Sequence, residues 1–202
     1  MGINIAYWNS RILERSDIST SLVHLTKSTY GMDCLQVLLK ILNDKKLIGS
    51  THSGFIQGSE KAVCFQDAPL TGIAQNVRYE ERLSEEGKIN KRRYYAYGLT
   101  FNKTLAYRRG ARPVIYEAKE EAKQKFKNEL WRVVTLDLHD DNNLIDWTHE
   151  REWRVKGDFY FELEDVVVLL PNPDEYRRFI TTVDPYMLSR IAGIVITGML
   201  VF

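Results

Sequence analysis

The sequence predicts an α+β fold with a mixed or antiparallel sheet, and three observations carry that expectation. Strand-like segments outnumber helical ones, and the helical ones come early in the chain. At 202 residues the chain can bury one good core and is short for two. With no internal repeat, low-complexity tract or composition break, residues 1–202 read as a single domain.

Ser19 to Thr26 alternates weakly and reads as a first strand. Asp33 has the character of an N-cap, and Gln36 three residues on completes a capping box. Behind it Leu35, Leu38, Leu39 and Leu42 share one helical face, a stripe that belongs to a core. Gly49 helps to end that element. Residues 50–60, rich in Ser, Gly and Thr, are expected to be loop; Ala62 to Phe65 is a short strand stopped by Pro69. Glu80 to Arg93 is charged with few apolar residues, the composition of a solvated helix or a mobile loop. Tyr95 to Phe101 and Pro113 to Tyr116 are strands, being rich in aromatic and β-branched residues. Glu117 to Trp131 reads as a charged amphipathic helix, Val133 to Leu138 as a strand and Asp140 to Asn143 as a turn. Glu152 to Val155, Val166 to Leu170 and Ile194 to Phe202 complete the strands.

Composition excludes several classes. The chain is 44% apolar and 27% charged, unlike a disordered protein, and its net charge of +1 gives no global reason to seek nucleic acid or a membrane. Cys34 and Cys64 read as small buried hydrophobes and not as a disulfide framework. His24, His52, His139 and His149 are too scattered for zinc spacing, so no metal is expected. The N-terminus has no basic segment followed by an apolar run, and the apolar C-terminal stretch is too short to span a bilayer. A cytoplasmic location is the expectation.

Three features carry candidate chemistry. In the segment 147–155, strand alternation sends Trp153 and Val155 to one face and Glu150, Glu152 and Arg154 to the other. Two carboxylates and a guanidinium are costly to bury, so this face is either a wet cleft or a surface salt-bridge ladder. His24 lies between apolar residues with Thr26 on the same face; imidazole and hydroxyl can hold an amide or a ribose, or His24 is a satisfied core residue. The window 88–112 carries Lys88, Lys91, Arg92, Arg93, Lys103, Arg108, Arg109 and Arg112 with no Asp or Glu. Tyr94, Tyr95, Tyr97, Phe101 and Tyr107 are interleaved with them. Basic groups suit phosphates and aromatic faces suit unstacked bases, but core tyrosines with solvated basic flanks give the same pattern.

Taken in order, Val23 to Thr26, Leu47-Ile48 and Ala62 to Leu70 resemble the opening of DarT-like ADP-ribosyltransferases and of AbiGi-type phage-defence proteins. Tyr97 to Phe101, Arg109 to Tyr116 and Glu150 to Val155 resemble the AbiGi-type pattern in particular. The resemblance implies two small sheets with flanking helices around a cleft that holds NAD as co-substrate. It implies His24, Thr26 and Tyr97 on NAD, with Arg154 available to a diphosphate, and a catalytic late-strand glutamate, Glu152 in preference to Glu150. DarT-like enzymes carry an arginine in the segment matching Gln66 to Leu70; this chain has none there, so either Arg109 or another basic residue replaces it, or the cleft no longer does that chemistry. The activity implied is NAD-dependent ADP-ribosyl transfer by a toxin or defence effector, with an antitoxin protein as partner. Lys91, Arg92, Arg93, Tyr94 and Tyr95 would then meet a nucleic-acid acceptor, RNA or DNA. The rival readings are a catalytically inactive binding module (antitoxin or sensor) and a nucleic-acid-binding protein without cleft chemistry.

Overall fold

The computed structural model describes residues 2–51 and 56–200. In chain order its first elements are α1 (Ile5–Leu13), β1 (Ser21–Thr26), α2 (Cys34–Asp44), β2 (Lys46–Leu47), β3 (Ala62–Phe65), α3 (Leu70–Glu85), β4 (Tyr97–Asn102) and α4 (Lys103–Arg108). Then come β5 (Arg112–Pro113), β6 (Ile115–Glu117), α5 (Lys119–Lys125), β7 (Val133–Thr135), β8 (Trp153–Lys156) and β9 (Phe159–Tyr160). The last are β10 (Val166–Leu170), α6 (Pro173–Thr182), α7 (Pro185–Arg190) and β11 (Gly193–Ile196). The fold is α+β, and the chain packs as two compact units. The first comprises Met1–Lys45, Ala68–Asn102 and Phe161–Phe202; the second comprises Lys46–Asp67 and Lys103–Tyr160.

The first unit is built on a mixed four-stranded sheet in the order β1-β4-β10-β11. β1 and β4 run antiparallel, with His24 opposite Leu99 and Thr26 opposite Tyr97. Gly98 is required in this pair, because a Cβ there would stand 2.3 Å from the carbonyl oxygen of His24. β10 and β11 are parallel, which demands a crossover, and α6 and α7 supply it. Leu22, Leu99, Val168 and Leu169 are buried on this sheet. α2 starts at the expected capping box: the Asp33 side chain accepts from the Gln36 N–H while the Gln36 side chain accepts from the Asp33 N–H, both at 2.9 Å.

The second unit contains a three-stranded sheet in the order β3-β8-β5 and two ribbons, antiparallel β2-β9 and parallel β6-β7. Phe65 and Phe159 meet edge to face at 5.2 Å, and Ile56, Ala62 and Trp131 form a cluster with half-buried Cys64 against it.

Several elements depart from the sequence expectations. α3 was not legible as a helix: its buried residues Ile73, Ala74, Val77 and Glu80 follow helical spacing, but Gly72 and a charged second half obscure the stripe. Of Glu80 to Arg93, residues 80–85 belong to α3 and 86–93 are loop, mostly exposed as expected, but Glu80 is only 6% exposed. α6 and α7 lie late, so helices are not confined to the start of the chain. Pro113 to Tyr116 divides between β5 and β6, which belong to different sheets; Pro113 has no N–H to donate to a ladder, which suits it to the end of a short strand. The charged helix covers only Lys119–Lys125, and the rest of its expected span ends in a short 3₁₀ turn at Leu130–Arg132. The helix over Leu35 to Leu42 ends at Lys45 in a left-handed conformation (φ 48°), before Gly49 is reached. The last strand stops at Ile196 and passes into a 3₁₀ turn, Thr197–Leu200. Residues 52–55 of the expected loop, His52 among them, and residues 201–202 of the expected last strand lie outside the described residues. Both cysteines are half-buried.

Candidate functional site

The segments that carry the sequence chemistry meet pairwise. In the second unit β8 is the middle strand, with Cys64 opposite Arg154 on one side and Arg112 opposite Arg154 on the other. Glu150 closes a 3₁₀ turn, Thr148–Glu150, and Arg151 takes a left-handed backbone conformation at φ 45°. A non-glycine residue in that region stores strain, and here it stands between the turn that holds Glu150 and Glu152, which leads into β8. The corner is pinned from both sides: the Asp67 N–H donates to the Glu150 carbonyl at 3.2 Å, and the Val114 N–H to the Glu152 carbonyl at 3.0 Å. Asp67 is itself held by Lys103 at 2.7 Å and by the Trp153 indole N–H at 3.1 Å.

Glu152 and Arg154 share a face, as alternation requires, but that face is interior. Arg154 is 2% exposed and Glu152 7%. The guanidinium donates to the carboxylate through Nε at 2.8 Å and Nη2 at 3.1 Å, a bidentate fork, and through Nη1 to the carbonyls of Trp131 and Val133 at 3.0 and 3.2 Å. Burial opposes its charge, yet the Glu152 carboxylate outweighs burial and holds Arg154 above its ordinary pKa. A diphosphate could reach Arg154 only by displacing these partners. Burial, reinforced by Glu152, also pushes the Cys64 thiol well up. The Tyr116 hydroxyl accepts from the Glu152 N–H at 3.2 Å and donates to the Trp147 carbonyl at 3.4 Å. Its pKa is raised, first by burial and further by the negative charge of Glu152 and Glu150. The pair is therefore not a surface salt-bridge ladder. Glu150 is the half-exposed carboxylate of the two. Arg109, half-buried, follows the end of α4, its N–H bonded to the carbonyls of Leu105 and Ala106 at 3.1 Å.

In the first unit, His24 is half-buried and Thr26 buried, and Tyr97 stands opposite Thr26. Tyr97 is held well above the ordinary phenol pKa, first by burial and then by a hydrogen bond with Glu175. The basic window is not segregated in space, because α3 supplies its counter-charges. The Glu80 carboxylate accepts from the backbone N–H groups of Arg93 and of Tyr94 and lies 3.7 Å from the Arg93 guanidinium. Arg92 pairs with Glu81 at 3.0 Å, donates to the Tyr94 carbonyl at 2.8 Å and lies 4.8 Å over the Tyr95 ring. Tyr94 is buried against Val77 and Ala96, so a base could stack on it only if that cluster opened. Lys91 is exposed. Arg92, Tyr95 and Tyr97 line one cavity of about 580 Å³ within this unit. Arg78 and Arg82 line it too, and the sequence reading missed them; their spacing of four on α3 was the available signal.

Among the described residues no cluster of His, Cys, Asp and Glu could hold a metal ion, and no helix is long and apolar enough to cross a membrane. No protein-family model, curated protein or solved structure matches the chain.

Proposed function

We propose that the chain is an NAD-dependent ADP-ribosyltransferase, a toxin or phage-defence effector whose acceptor is nucleic acid. The observation that carries the reading is the Glu150-Arg151-Glu152 corner. There a strained residue separates a half-exposed carboxylate from a buried, rigidly held one. Cleaving the nicotinamide–ribose bond sends the bonding electrons out with nicotinamide and leaves oxocarbenium character on the ribose, which a fixed carboxylate stabilises. The acceptor's nucleophile then bonds to the same ribose carbon and loses its proton to a carboxylate acting as general base. In this reading Glu152 supplies the fixed charge, Glu150 is within one turn of it, and the Tyr116 hydroxyl steadies the Glu152 backbone. Arg109, in the same unit as Glu152, would take the role of the arginine missing between Gln66 and Leu70.

A second reading, a catalytically inactive binding module, is favoured by one observation. The Glu152 charge is already matched by Arg154 in a bidentate pair, which leaves less of it for a developing cation. Incubation with NAD labelled in its adenylate half, with separate pools of RNA, DNA and protein, separates the two. The transferase reading expects label in a nucleic-acid pool, and a fall of at least about a hundredfold in Glu152→Gln. If label enters no pool and no nicotinamide is released, the binding module is the correct reading. Loss of transfer in Glu150→Gln with full activity in Glu152→Gln would move the catalytic role to the half-exposed carboxylate.

A further inference from the structure

The cavity of the first unit is lined in part by Arg78 and Arg82, which none of the readings above assigns a role. Its volume of about 580 Å³ falls in the range of small-molecule sites, roughly 300–1,000 Å³. Three guanidiniums reach it, from Arg78, Arg82 and Arg92, against the carboxylates of Glu81 and Glu85. Arg92 is already matched by Glu81 at 3.0 Å. Arg78 and Arg82 differ from it. Among the described residues neither has a carboxylate partner; Arg82 lies 5.6 Å from the Tyr79 ring. Four residues apart on one helix, they stand side by side on the face that meets the cavity. Two adjacent guanidiniums are matched to a phosphate, whose oxygens accept from both. On the same lining Tyr95 and Tyr97 are half-buried. Tyr95 already carries Arg92 over its ring, and the Tyr97 hydroxyl is engaged with Glu175, so ring surface is what they offer a ligand. An aromatic surface beside a phosphate clamp is the recognition pattern of a base with its phosphate.

We propose that this cavity binds a nucleoside phosphate, with Arg78 and Arg82 on the phosphate and Tyr95 against the base. The inference goes beyond the transferase reading and does not rest on it. Either a free mononucleotide or the phosphorylated end of a nucleic-acid strand supplies this chemistry.

The full chain is titrated calorimetrically with AMP, with 5′-phosphorylated decathymidylate and with inorganic phosphate, at two salt concentrations. AMP or the oligonucleotide should bind at least about tenfold more tightly than phosphate alone, and Arg78→Gln/Arg82→Gln should weaken that binding by about tenfold or more. Tyr95→Leu should weaken the nucleoside ligands and leave phosphate unaffected. Equal affinity for AMP and the oligonucleotide identifies a free nucleotide as the ligand. Tighter oligonucleotide binding with a steeper salt dependence identifies a strand end. Both outcomes support the site. It is overturned if neither probe binds, if phosphate binds as well as AMP, or if the double variant binds like the wild type. Melting of the double variant should be unchanged, since Arg78 and Arg82 are exposed on α3. NAD consumption in the double variant reads the transferase proposal separately and should also be unchanged. Consumption that falls together with AMP binding would make the cavity part of the NAD site and end the claim of a separate one.

Discussion

Arg154 in the second unit and Arg78 in the first carry the same charge and do opposite work. Arg154 is 2% exposed and spends its donors on Glu152 and on two backbone carbonyls, tying β8 to Trp131 and Val133. Arg78 is exposed at the edge of a cavity, with no carboxylate to satisfy it among the described residues. A guanidinium whose donors are used inside the fold fixes geometry, while one left open is what a ligand's phosphate can meet. The two carboxylates of the corner divide in the same way: Glu152 is held in the interior and Glu150 is half-exposed.

The sharpest way to break this comparison is to remove Arg154. Arg154→Met strands a buried carboxylate and should cost about 3–5 kcal/mol in urea unfolding. Glu152→Leu/Arg154→Met together should recover most of that loss, because neither charge is then left buried alone. A single variant as stable as the wild type would show that the pair fixes nothing.

The first unit offers a buried carboxylate of its own, held without an arginine fork. Glu80 is 6% exposed and accepts from the N–H groups of Arg93 and Tyr94. Glu80→Ala leaves the buried Tyr94 N–H without its acceptor and should cost about 1–3 kcal/mol. Because those bonds hold the segment that presents Tyr95, AMP binding should weaken in the same variant. Unaltered stability and binding would mean the Arg92–Glu81 pair alone positions that segment.

The smallest effect belongs to the exposed version of the arginine–carboxylate pair. Arg178 bonds to Asp33, the N-cap of α2, and each side chain is 45% exposed. The hydrogen bond from Arg178, and then that from the Gln36 N–H, hold the Asp33 carboxyl below its ordinary pKa. A depressed carboxyl stabilises the fold above its unfolded pKa of about 4 and loses that contribution as pH falls through the lower folded value. Asp33→Asn keeps a good cap and removes the titration, so the difference in urea midpoint between pH 6 and pH 3 should shrink slightly. Solvent screens this pair, and the effect should fade in high salt. A salt-independent loss as large as that of Arg154→Met would erase the distinction between buried and exposed pairs.

Much of this was readable along the chain where local rules dominate. The Asp33–Gln36 capping box, the leucine stripe behind it and the strands at Ser21–Thr26, Ala62–Phe65 and Val166–Leu170 all follow from spacing within a few residues. The shared face of Glu152 and Arg154 followed from alternation. α3 escaped because its buried stripe ends on Glu80, a charged residue whose partners lie beyond the helix. The basic window looked unopposed because Glu80 and Glu81 stand before it in sequence and beside it in space.

The sequence by itself determined which residues share a face and which turns cap a helix, because those depend on a backbone period and on hydrogen bonds spanning three or four residues. Only the tertiary structure decided what lies over each face. It covered Arg154 with Trp131 and Val133 and left Arg78 open on a cavity. Local periodicity names a direction, whereas burial depends on which distant segment packs against it, and burial sets whether a charge anchors the fold or stays available to a ligand.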